Sequence, residues 1–316
     1  MTAREVVALT LNPAIDQTVT IPGFAAGAVN RVERVRQDPG GKGVNVASAL
    51  ADAGHRVAVT GFLGRDNAVP FETLFAAKGI DDHFVRIGGQ TRVGIKIVDP
   101  VQQQTTDLNF PGQAPTTADC AELVARLAAL DTPWVVMAGS VPPGVPPRIY
   151  AELIGKVRAQ GRRVLLDTSE AALRASLGAL PHVAKPNVHE LESVAGTPLR
   201  DRASVVAAAR RLVQTGIELV VVSMGGEGAC FVTRDELVVA RPPRVEVRST
   251  VGAGDALVAG LVSAHLRGLG LSETARLATA FSIDRVTRLG SGLSSPETIE
   301  AYKNQVQVEV PSLARS

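Results

Sequence analysis

Residues 203–222 read ASVVAAARRLVQTGIELVVV and contain a complete helix, turn and strand. In the first part, apolar side chains repeat at the spacing of one helix face. Gly216 is a helix stop signal, and residues 219–222 are then apolar without interruption. Such a run is typical of a strand that helices cover on both faces of a parallel sheet. The residues of the apolar helix face are Val205, Val206, Ala209, Leu212 and Val213.

The same alternation of short apolar runs and amphipathic segments extends along the chain. Residues 149–160 again have a helical period, and Gly161 follows them as a typical helix C-terminal residue. Strand–helix–strand repetition predicts right-handed crossovers. We therefore expect an α/β fold: a three-layer α/β/α sandwich with a mostly parallel central sheet, in which residues 1–316 form a single domain. Further strands are predicted at 6–9, 57–60, 134–137 and 164–166.

Two stretches, residues 16–37 and 91–109, lack this pattern. Each contains a short segment in which polar and apolar residues alternate, 18–21 in one and 94–98 in the other, with no helix between. Alternation is typical of antiparallel strands with one face in solvent. We expect the two stretches to form a small β-sheet that projects from the main domain as a lid.

Composition and charge exclude several classes of protein. The 316 residues include 33 Lys and Arg against 31 Asp and Glu, a formal net charge of +2, which gives no reason to expect nucleic acid or an acidic membrane as a partner. No apolar run approaches the ~18 residues of a membrane span, and the N-terminus has no signal-peptide pattern. Cys120 and Cys230 lack metal-ligand spacing, which favours a reducing compartment. We expect a cytoplasmic protein.

A glycine turn before an apolar helical run is the strongest chemical signal. Residues 252–255 read Gly-Ala-Gly-Asp and follow Ser249-Thr250. Glycine lets the backbone approach a ligand, and the unpaired amides at a helix start bind anions together with the helix dipole. A carboxylate there repels a phosphate unless it has a proton to accept, so Asp255 fits a catalytic base. The alternative is that Asp255 only caps the helix.

A second glycine turn, residues 40–43 with Asn45 just after it, also begins a helical segment. It lacks the spacing of a Walker A loop, and it does not follow a strand directly as a dinucleotide fingerprint does. Backbone amides beside a side-chain amide can bond several hydroxyl groups, which suits a polyol. A plain tight turn is an equally good interpretation of this motif alone.

Two further motifs follow predicted strands. In the segment 185–190, Asn187 and Glu190 match a capping box, in which each residue bonds the backbone of the other. In the functional alternative, Glu190 holds Mg²⁺ through water and Asn187 faces a nucleotide phosphate. The loop 223–228 is rich in glycine and leaves the carboxyl end of a strand, where open α/β sheets bind ligands. It can also simply begin the hairpin predicted at 229–240.

Together these motifs resemble the ribokinase-like (PfkB) family of carbohydrate kinases over nearly the whole chain. The turn at 252–255 resembles the C-terminal signature of that family and the turn at 40–45 its N-terminal signature, with Asn187 and Glu190 between them. Within the family, the chain is most similar to the phosphosugar kinases, which include 1-phosphofructokinases, minor 6-phosphofructokinases and tagatose-6-phosphate kinases. This likeness rests on segments 10–16, 91–92, 106–112 and 139–144 and on Ser249.

The resemblance implies ATP-dependent phosphorylation of a ketohexose phosphate, with fructose 1-phosphate as the first candidate and tagatose 6-phosphate or fructose 6-phosphate as alternatives. It implies ATP and Mg²⁺ as cofactors, with Glu190 at the metal, and a homodimer formed through the lid. Asp255 would accept the proton of the attacking hydroxyl, and the amides of Gly252, Ala253 and Gly254 would stabilise the transferring phosphoryl group. The implied substrate-binding residues are Asp16, Gly40, Gly41, Lys42, Asn45, Arg92 and Ser140. The implied ATP-binding residues are Lys185, Asn187, Ser223, Gly225, Gly226, Gly228 and Thr250.

One segment departs from the family. The helix near 280–287 usually carries small residues beside the adenine and a site for potassium, whereas residues 281–286 are Phe-Ser-Ile-Asp-Arg-Val. This departure puts adenine contacts and potassium dependence in question.

Lid cations are expected to bind the phosphate that the substrate already carries. Arg92 and Lys96 are predicted four residues apart on one face of one strand, and Arg31 could join them from the other lid stretch. The alternative is that all three are solvated strand residues.

Two other functions remain as alternatives. A non-catalytic sugar-phosphate sensor on the same scaffold would not need Asp255, Asn187 and Glu190 together, and no segment is left over for a DNA-binding appendage. A dinucleotide-dependent dehydrogenase would carry its glycine fingerprint after the first strand, and this chain does not. The residues favour the kinase.

Overall fold

The computed structural model describes residues 4–288, Gly290 and 292–311 and centres on a sheet of 11 strands. In chain order, the strands are β1 (Val6–Thr10), β2 (Ala14–Thr20), β3 (Arg34–Gly40), β4 (Val57–Gly64), β5 (Asp81–Asp82), β6 (Val85–Ile87), β7 (Val93–Asp99), β8 (Gln104–Asn109), β9 (Trp134–Ala138), β10 (Arg163–Asp167), β11 (Val183–Ala184), β12 (Leu219–Ser223), β13 (Ala229–Val232), β14 (Leu237–Arg241) and β15 (Gln307–Glu309). The helices are α1 (Lys42–Asp52), α2 (Val69–Lys78), α3 (Thr117–Ala129), α4 (Ile149–Ala159), α5 (Glu170–Leu177), α6 (Val188–Ala195), α7 (Arg202–Gln214), α8 (Ala253–Leu266), α9 (Leu271–Val286) and α10 (Pro296–Gln305).

The large sheet has the order β15-β14-β13-β12-β11-β10-β9-β1-β4-β5, and β6 pairs with β4. All pairs from β12 to β5 are parallel, and the pairs formed by β13, β14 and β15 at one edge are antiparallel. Every strand expected from a continuous apolar run lies in this sheet. The predicted α/β class with a mostly parallel sheet is confirmed.

Two apolar cores, one on each face of the sheet, explain why the strands are apolar without interruption. In β1, Val6 and Ala8 point into one core, while Val7 and Leu9 point into the other. Helices α1, α2, α8, α9 and α10 cover the first core, and helices α3 to α7 cover the second. Burial of each such side chain contributes about 1.5–3 kcal/mol, so a polar residue is costly on either face. No helix in the described part of the chain is long and apolar enough to span a membrane.

A second sheet of four strands, in the order β3-β2-β7-β8, contains both stretches that broke the helix–strand alternation. The pairs β2–β3 and β7–β8 are antiparallel, as expected, whereas β2–β7 is parallel. The expectation of antiparallel strands is therefore confirmed for the two pairs β2–β3 and β7–β8 and wrong for β2–β7. The reason is that β2 and β7 belong to different stretches, and the chain returns through the main sheet between them.

Alternation divides this second sheet into two different faces. The register places Thr18 beside Arg36 and Lys96 on one face. The opposite face carries apolar side chains, of which Val19 and Ile97 form a small cluster with Ile21. The polar face is the one that borders a cavity described below.

Candidate active site

Asp255 lies in the first turn of helix α8, and only 7% of its surface is exposed. The N-cap of this helix is Gly252, whose φ of +78° is a conformation that suits glycine. Asp255 therefore does not cap the helix, and the capping alternative was wrong. Its carboxylate instead accepts a hydrogen bond of 2.7 Å from Asn45 Nδ2, so the C-terminal and N-terminal motifs of the sequence meet at this point.

The surroundings of Asp255 raise the pKa of its carboxyl and so favour a role as a general base. Burial raises the pKa of the Asp255 carboxyl to about 6; Lys42 lowers it, nearby Asp167 raises it further, and Asn45 and Lys185 also lower it. A carboxylate with this pKa is ionised at neutral pH, yet it accepts a proton far more readily than an ordinary aspartate. That balance is what general base catalysis requires.

Two lysines converge on one buried carboxylate next to this base. Lys42 Nζ lies 3.0 Å and Lys185 Nζ 3.2 Å from Asp167 Oδ1. Burial alone would raise the pKa of Asp167, but the two ammonium groups hold it below its usual value. Its other oxygen, Oδ2, has no hydrogen-bond partner in the described part of the chain. Asp167 thus fixes both lysines beside the glycine turn.

Asp167 was missed from the sequence. It ends β10, and the rule that ligands bind at the carboxyl edge of an open sheet could have identified it.

Cations flank the glycine turn on both sides. A Cβ added at Gly254 would lie 3.7 Å from Lys185 Nζ, and one added at Gly252 would lie 3.0 Å from Arg285 Nε. The helix start therefore lies between a lysine and an arginine; Ala253 N donates to Thr250 O at 3.3 Å, and the amides of Gly252 and Gly254 have no partner among the described hydrogen bonds. A helix N-terminus with such neighbours is well suited to a phosphoryl group.

A cavity of about 700 Å³ opens on one side of the turn. Six of the seven residues predicted to bind ATP line it, and Lys185 lies at the turn itself. Ala253 and Gly254 form the end of the cavity nearest Asp255. Its outer wall, from Pro242 to Val247, was not foreseen because that segment carries no motif. The six predicted residues are Asn187, Ser223, Gly225, Gly226, Gly228 and Thr250.

Segment 281–286, which departs from the family pattern of small residues, forms part of the wall of this cavity without filling it. Ser282, Ile283 and Val286 line it. Phe281 is 1% exposed and packs in the core, and Asp284, also 1% exposed, accepts a hydrogen bond of 3.0 Å from Ser294 N. Phe281 and Asp284 are thus turned away from the cavity, because helix periodicity places them on other faces, whereas the bulky Ile283 and Val286 remain in its lining.

The pair Asn187 and Glu190 forms the capping box of helix α6. Asn187 Oδ1 accepts from Glu190 N at 2.8 Å, and Glu190 Oε2 accepts from Asn187 N at 2.8 Å. The capping box, which was the alternative to a role in ligand binding, is therefore present. Each side chain still has one polar atom that could contact a ligand, because the described hydrogen bonds do not involve Asn187 Nδ2 or Glu190 Oε1.

A second cavity, of about 250 Å³, lies on the other side of the turn, against the polar face of the small sheet. Asp16, Asn45 and Thr250 line it, and Thr250 also lines the larger cavity. Burial raises the pKa of Asp16, while Lys96 and Arg92 lower it.

The predicted glycines of the N-terminal turn make this arrangement possible. A Cβ at Gly40 would lie 2.5 Å from Asp16 Oδ2. Gly41 is the N-cap of α1 with a φ of +104°, and a Cβ there would be 2.8 Å from Pro13 Cα. Both positions therefore require glycine, which fits a built site better than a plain turn.

Arg92 and Ser140 form a separate polar group beyond this cavity. Arg92 Nη1 donates to Phe110 O at 3.0 Å, and its Nε and Nη2 donate to Asn12 O at 3.4 and 3.3 Å. Asn12 Nδ2 in turn donates to Ser140 Oγ at 3.2 Å. The structure thus brings together two predicted sugar-side residues through a third, Asn12, to which no role was assigned.

The prediction that Arg92 and Lys96 lie on one strand was wrong by one residue, since β7 begins at Val93. Arg92 precedes β7 and is drawn to backbone carbonyls, whereas Lys96 lies within β7, lines the second cavity and pairs with Asp107 at 3.1 Å. Arg31 is exposed and lines neither cavity. The cavity instead has cations that the sequence analysis did not select, namely Arg34, Arg36, Arg248 and Arg285.

Comparison with known proteins agrees with this geometry. The chain is 51% identical to the 1-phosphofructokinase of Rhodobacter capsulatus over 312 residues, which cover 98% of each protein. It is 48% identical over 302 residues to the 1-phosphofructokinase of Xanthomonas campestris, with 93% of this chain and 95% of that protein covered.

Solved structures give the same result. Phosphofructokinase-2 from Escherichia coli in complex with fructose-6-phosphate matches with a TM-score of 0.88 and 26% identity, covering 96% of this chain and 99% of that one. A structure described as possible 1-phosphofructokinase from Thermotoga maritima matches with a TM-score of 0.89 and 29% identity, covering 98% and 100%. The sequence model described as pfkB family carbohydrate kinase matches residues 2–298. This chain therefore belongs to the pfkB family of carbohydrate kinases.

Proposed function

We propose that this protein transfers the γ-phosphoryl group of ATP to fructose 1-phosphate and forms fructose 1,6-bisphosphate. One observation carries the proposal. Asp255 follows the two turn residues that line the larger cavity, and it bonds to Asn45, which lines the smaller one. A base at the junction of two cavities fits a reaction that joins two substrates. The relatives named 1-phosphofructokinase indicate which sugar phosphate to test first.

The chemistry follows from the placement of charge. ATP would occupy the larger cavity and the sugar the smaller, with the acceptor hydroxyl against Asp255. Asp255 takes the hydroxyl proton as the oxygen attacks the γ-phosphorus, the bond from that phosphorus to the bridging oxygen breaks, and ADP leaves. The amides of Gly252, Ala253 and Gly254 then bind the charge on the transferring group, and one such donor is worth about 10²–10³ in rate. Lys42 and Lys185, fixed by Asp167, add positive charge beside the turn.

Mg²⁺ is a proposed cofactor, and Glu190 is the residue proposed to hold it, through water. In phosphoryl transfer sites Mg²⁺ is usually held by one or two carboxylates together with substrate phosphates and water. A single glutamate that shares a capping box with Asn187, which lines the larger cavity, and that keeps one oxygen available fits that pattern. When bound, the ion would neutralise charge on the nucleotide phosphates.

Potassium dependence is an open question, because the family resemblance includes a potassium site that segment 281–286 puts in question. Phosphofructokinase-2 from Escherichia coli has been solved in complex with potassium. Assays in potassium and in sodium salts test this dependence for the present chain.

On the sugar side, four of the seven predicted residues have a task in ligand binding that their surroundings support. Asp16 and Asn45 line the smaller cavity and would bond sugar hydroxyls. Arg92 and Ser140, joined through Asn12, would bind the phosphate that the sugar already carries. A guanidinium suits this task because it forms charge-assisted, often bidentate bonds to phosphate.

A homodimer through the small sheet is also proposed. The apolar face of that sheet exposes 56% of Val35 and 46% of Leu108, and both lie on the side away from the cavity. A second copy of the chain would bury this face. Sedimentation of the wild type and of a Val35→Asp, Leu108→Asp variant tests the proposal, since a dimer that depends on this face dissociates in the variant.

The substrate is tested by ADP release with four acceptors: fructose 1-phosphate, fructose 6-phosphate, tagatose 6-phosphate and unphosphorylated fructose. We expect the highest kcat/KM with fructose 1-phosphate, and phosphorus NMR of the product should show a new phosphate on the 6-hydroxyl. Preference for tagatose 6-phosphate or fructose 6-phosphate would instead assign the chain a tagatose-6-phosphate kinase or 6-phosphofructokinase activity. Turnover of unphosphorylated fructose alone would refute the phosphosugar assignment and the task given to Arg92.

A further inference from the structure

Arg285 occupies an unexpected position in the site. It belongs to helix α9 yet lines the smaller cavity, and its guanidinium lies against the N-cap of helix α8. A Cβ at Gly252 would be 3.0 Å from Arg285 Nε and 3.7 Å from Cζ and Nη2. The arginine thus packs on the backbone of the turn whose amides face the phosphoryl group. The missing side chain of Gly252 provides the space.

The described contacts of Arg285 leave most of its donors unused. Nη1 donates to Arg288 O at 3.1 Å, and no described carboxylate lies within the 4.0 Å of an ion pair. Burial lowers the pKa of the Arg285 guanidinium, and Asp255 opposes that effect, so the charge of the arginine and that of the base act on each other. A partly buried guanidinium without a paired anion is costly unless a ligand supplies the anion.

Further arginines surround the same cavity. Arg34 and Arg36 reach it from β3, and Arg248 lies just before the turn. Arg36 is paired with Asp38 at 2.8 Å, whereas Arg285 is not paired among the described residues. Several cations around one small cavity repel one another, and an anionic ligand relieves that repulsion.

Arg285 could contact either the phosphate that the sugar already carries or the phosphoryl group in transfer, and its position decides between these two. The phosphate that the sugar brings has its own polar group at Arg92 and Ser140, joined through Asn12. Arg285 lies instead beside Gly252 and Asp255, where the acceptor hydroxyl and the transferring group meet.

We propose that Arg285 is a catalytic residue that contacts the transferring phosphoryl group from the sugar side and stabilises the charge that it carries between ATP and the acceptor. The inference rests on the proposed kinase reaction and deepens it. Phosphoryl transfer depends chiefly on positioning and charge stabilisation, and an arginine in this role is worth about 10³–10⁵ in kcat in other phosphotransferring enzymes. The arginine stands in the segment 281–286, where the family usually has small residues.

The test compares kinetic constants of Arg285→Ala and Arg285→Lys with those of the wild type. Arg276→Ala is the matched control, since Arg276 lies on the same helix, pairs with Glu273 at 3.5 Å and lines neither cavity. For Arg285→Ala we expect kcat to fall by at least about 10²-fold, with the KM values of ATP and sugar phosphate little changed. Arg285→Lys should retain part of the rate, and Arg276→Ala nearly all of it.

Chemical rescue distinguishes catalysis from a structural role. Guanidinium ion below denaturing concentration should raise kcat of Arg285→Ala and leave the wild type unchanged, whereas urea, which is neutral and of similar shape, should not rescue. Circular dichroism and thermal unfolding of each variant show whether the fold is retained.

Three results would overturn the inference. They are an unchanged kcat in folded Arg285→Ala, a rise only in the KM of the sugar phosphate, and equal effects of guanidinium and urea. An inactive wild type would instead refute the proposed function, so the two failures are distinguishable.

Discussion

The exchange Asp255→Asn should remove activity and at the same time stabilise the fold. It leaves the local geometry nearly unchanged, because the new amide oxygen can accept the 2.7 Å hydrogen bond from Asn45 Nδ2. It removes the group that accepts the hydroxyl proton, so we expect turnover to fall by about 10²–10⁴-fold. ATP binding should change little.

The gain in stability follows from the pKa of Asp255. Burial raises the pKa from its ordinary 3.8 to about 6, so the folded state binds the proton more tightly than the unfolded state. Ionisation of this carboxyl therefore destabilises the fold as pH rises from about 4 to about 6, and the full penalty applies above that range. At about 1.4 kcal/mol per pKa unit, the penalty at neutral pH is about 3 kcal/mol. Asparagine carries no such penalty.

Urea unfolding at pH 4.5 and at pH 7.5 measures the effect. The variant should exceed the wild type in free energy of unfolding by about 1 kcal/mol at pH 4.5 and about 3 kcal/mol at pH 7.5. Asp52→Asn is the control, because Asp52 is ion-paired with Lys78 and accepts a 2.7 Å hydrogen bond from Leu293 N. Neutralisation of that carboxylate should lower the stability at pH 7.5.

A variant Asp255→Asn that loses stability like the control, or gains an amount independent of pH, would refute the argument. The carboxylate would then be stabilised by its surroundings rather than held at a cost for catalysis.

Two further predictions concern the same turn. In the pH profile, kcat/KM should fall below about pH 6, where Asp255 becomes protonated. Asp167→Asn should move this acid limb to lower pH, because Asp167 raises the pKa of Asp255. An acid limb that does not move in a folded variant would assign the titration to another group. Gly252→Ala should lower the free energy of unfolding by about 1–2 kcal/mol and remove most of the activity, since the φ of Gly252 is +78° and the new Cβ would crowd Arg285. Gly254→Ala should be tolerated far better, because its Cβ would lie 3.7 Å from Lys185 Nζ. Thermal unfolding and ADP release measure both, and equal effects of the two alanines would contradict the geometry.

Local pattern was enough to predict many of the strands and helices and to select the glycine turns. Uninterrupted apolar runs identified buried strands, and helical spacing identified their covering helices, because both periodicities are properties of a few consecutive residues. The glycine turns were equally visible, since glycine allows the positive φ that Gly252 and Gly41 adopt in the structure. The sequence also showed that Asn187 and Glu190 could cap a helix, and they do.

Tertiary structure alone decided which of these parts meet. Asn45 and Asp255 are 210 residues apart and form one hydrogen bond, and Lys42 reaches Asp167 across 125 residues. No local spacing encodes such pairs, because they depend on which strands become neighbours in the sheet. Arg285 shows the same limit: its position in the chain marks it as a departure, but only the packing of α9 against α8 places its guanidinium beside the glycine turn at Gly252.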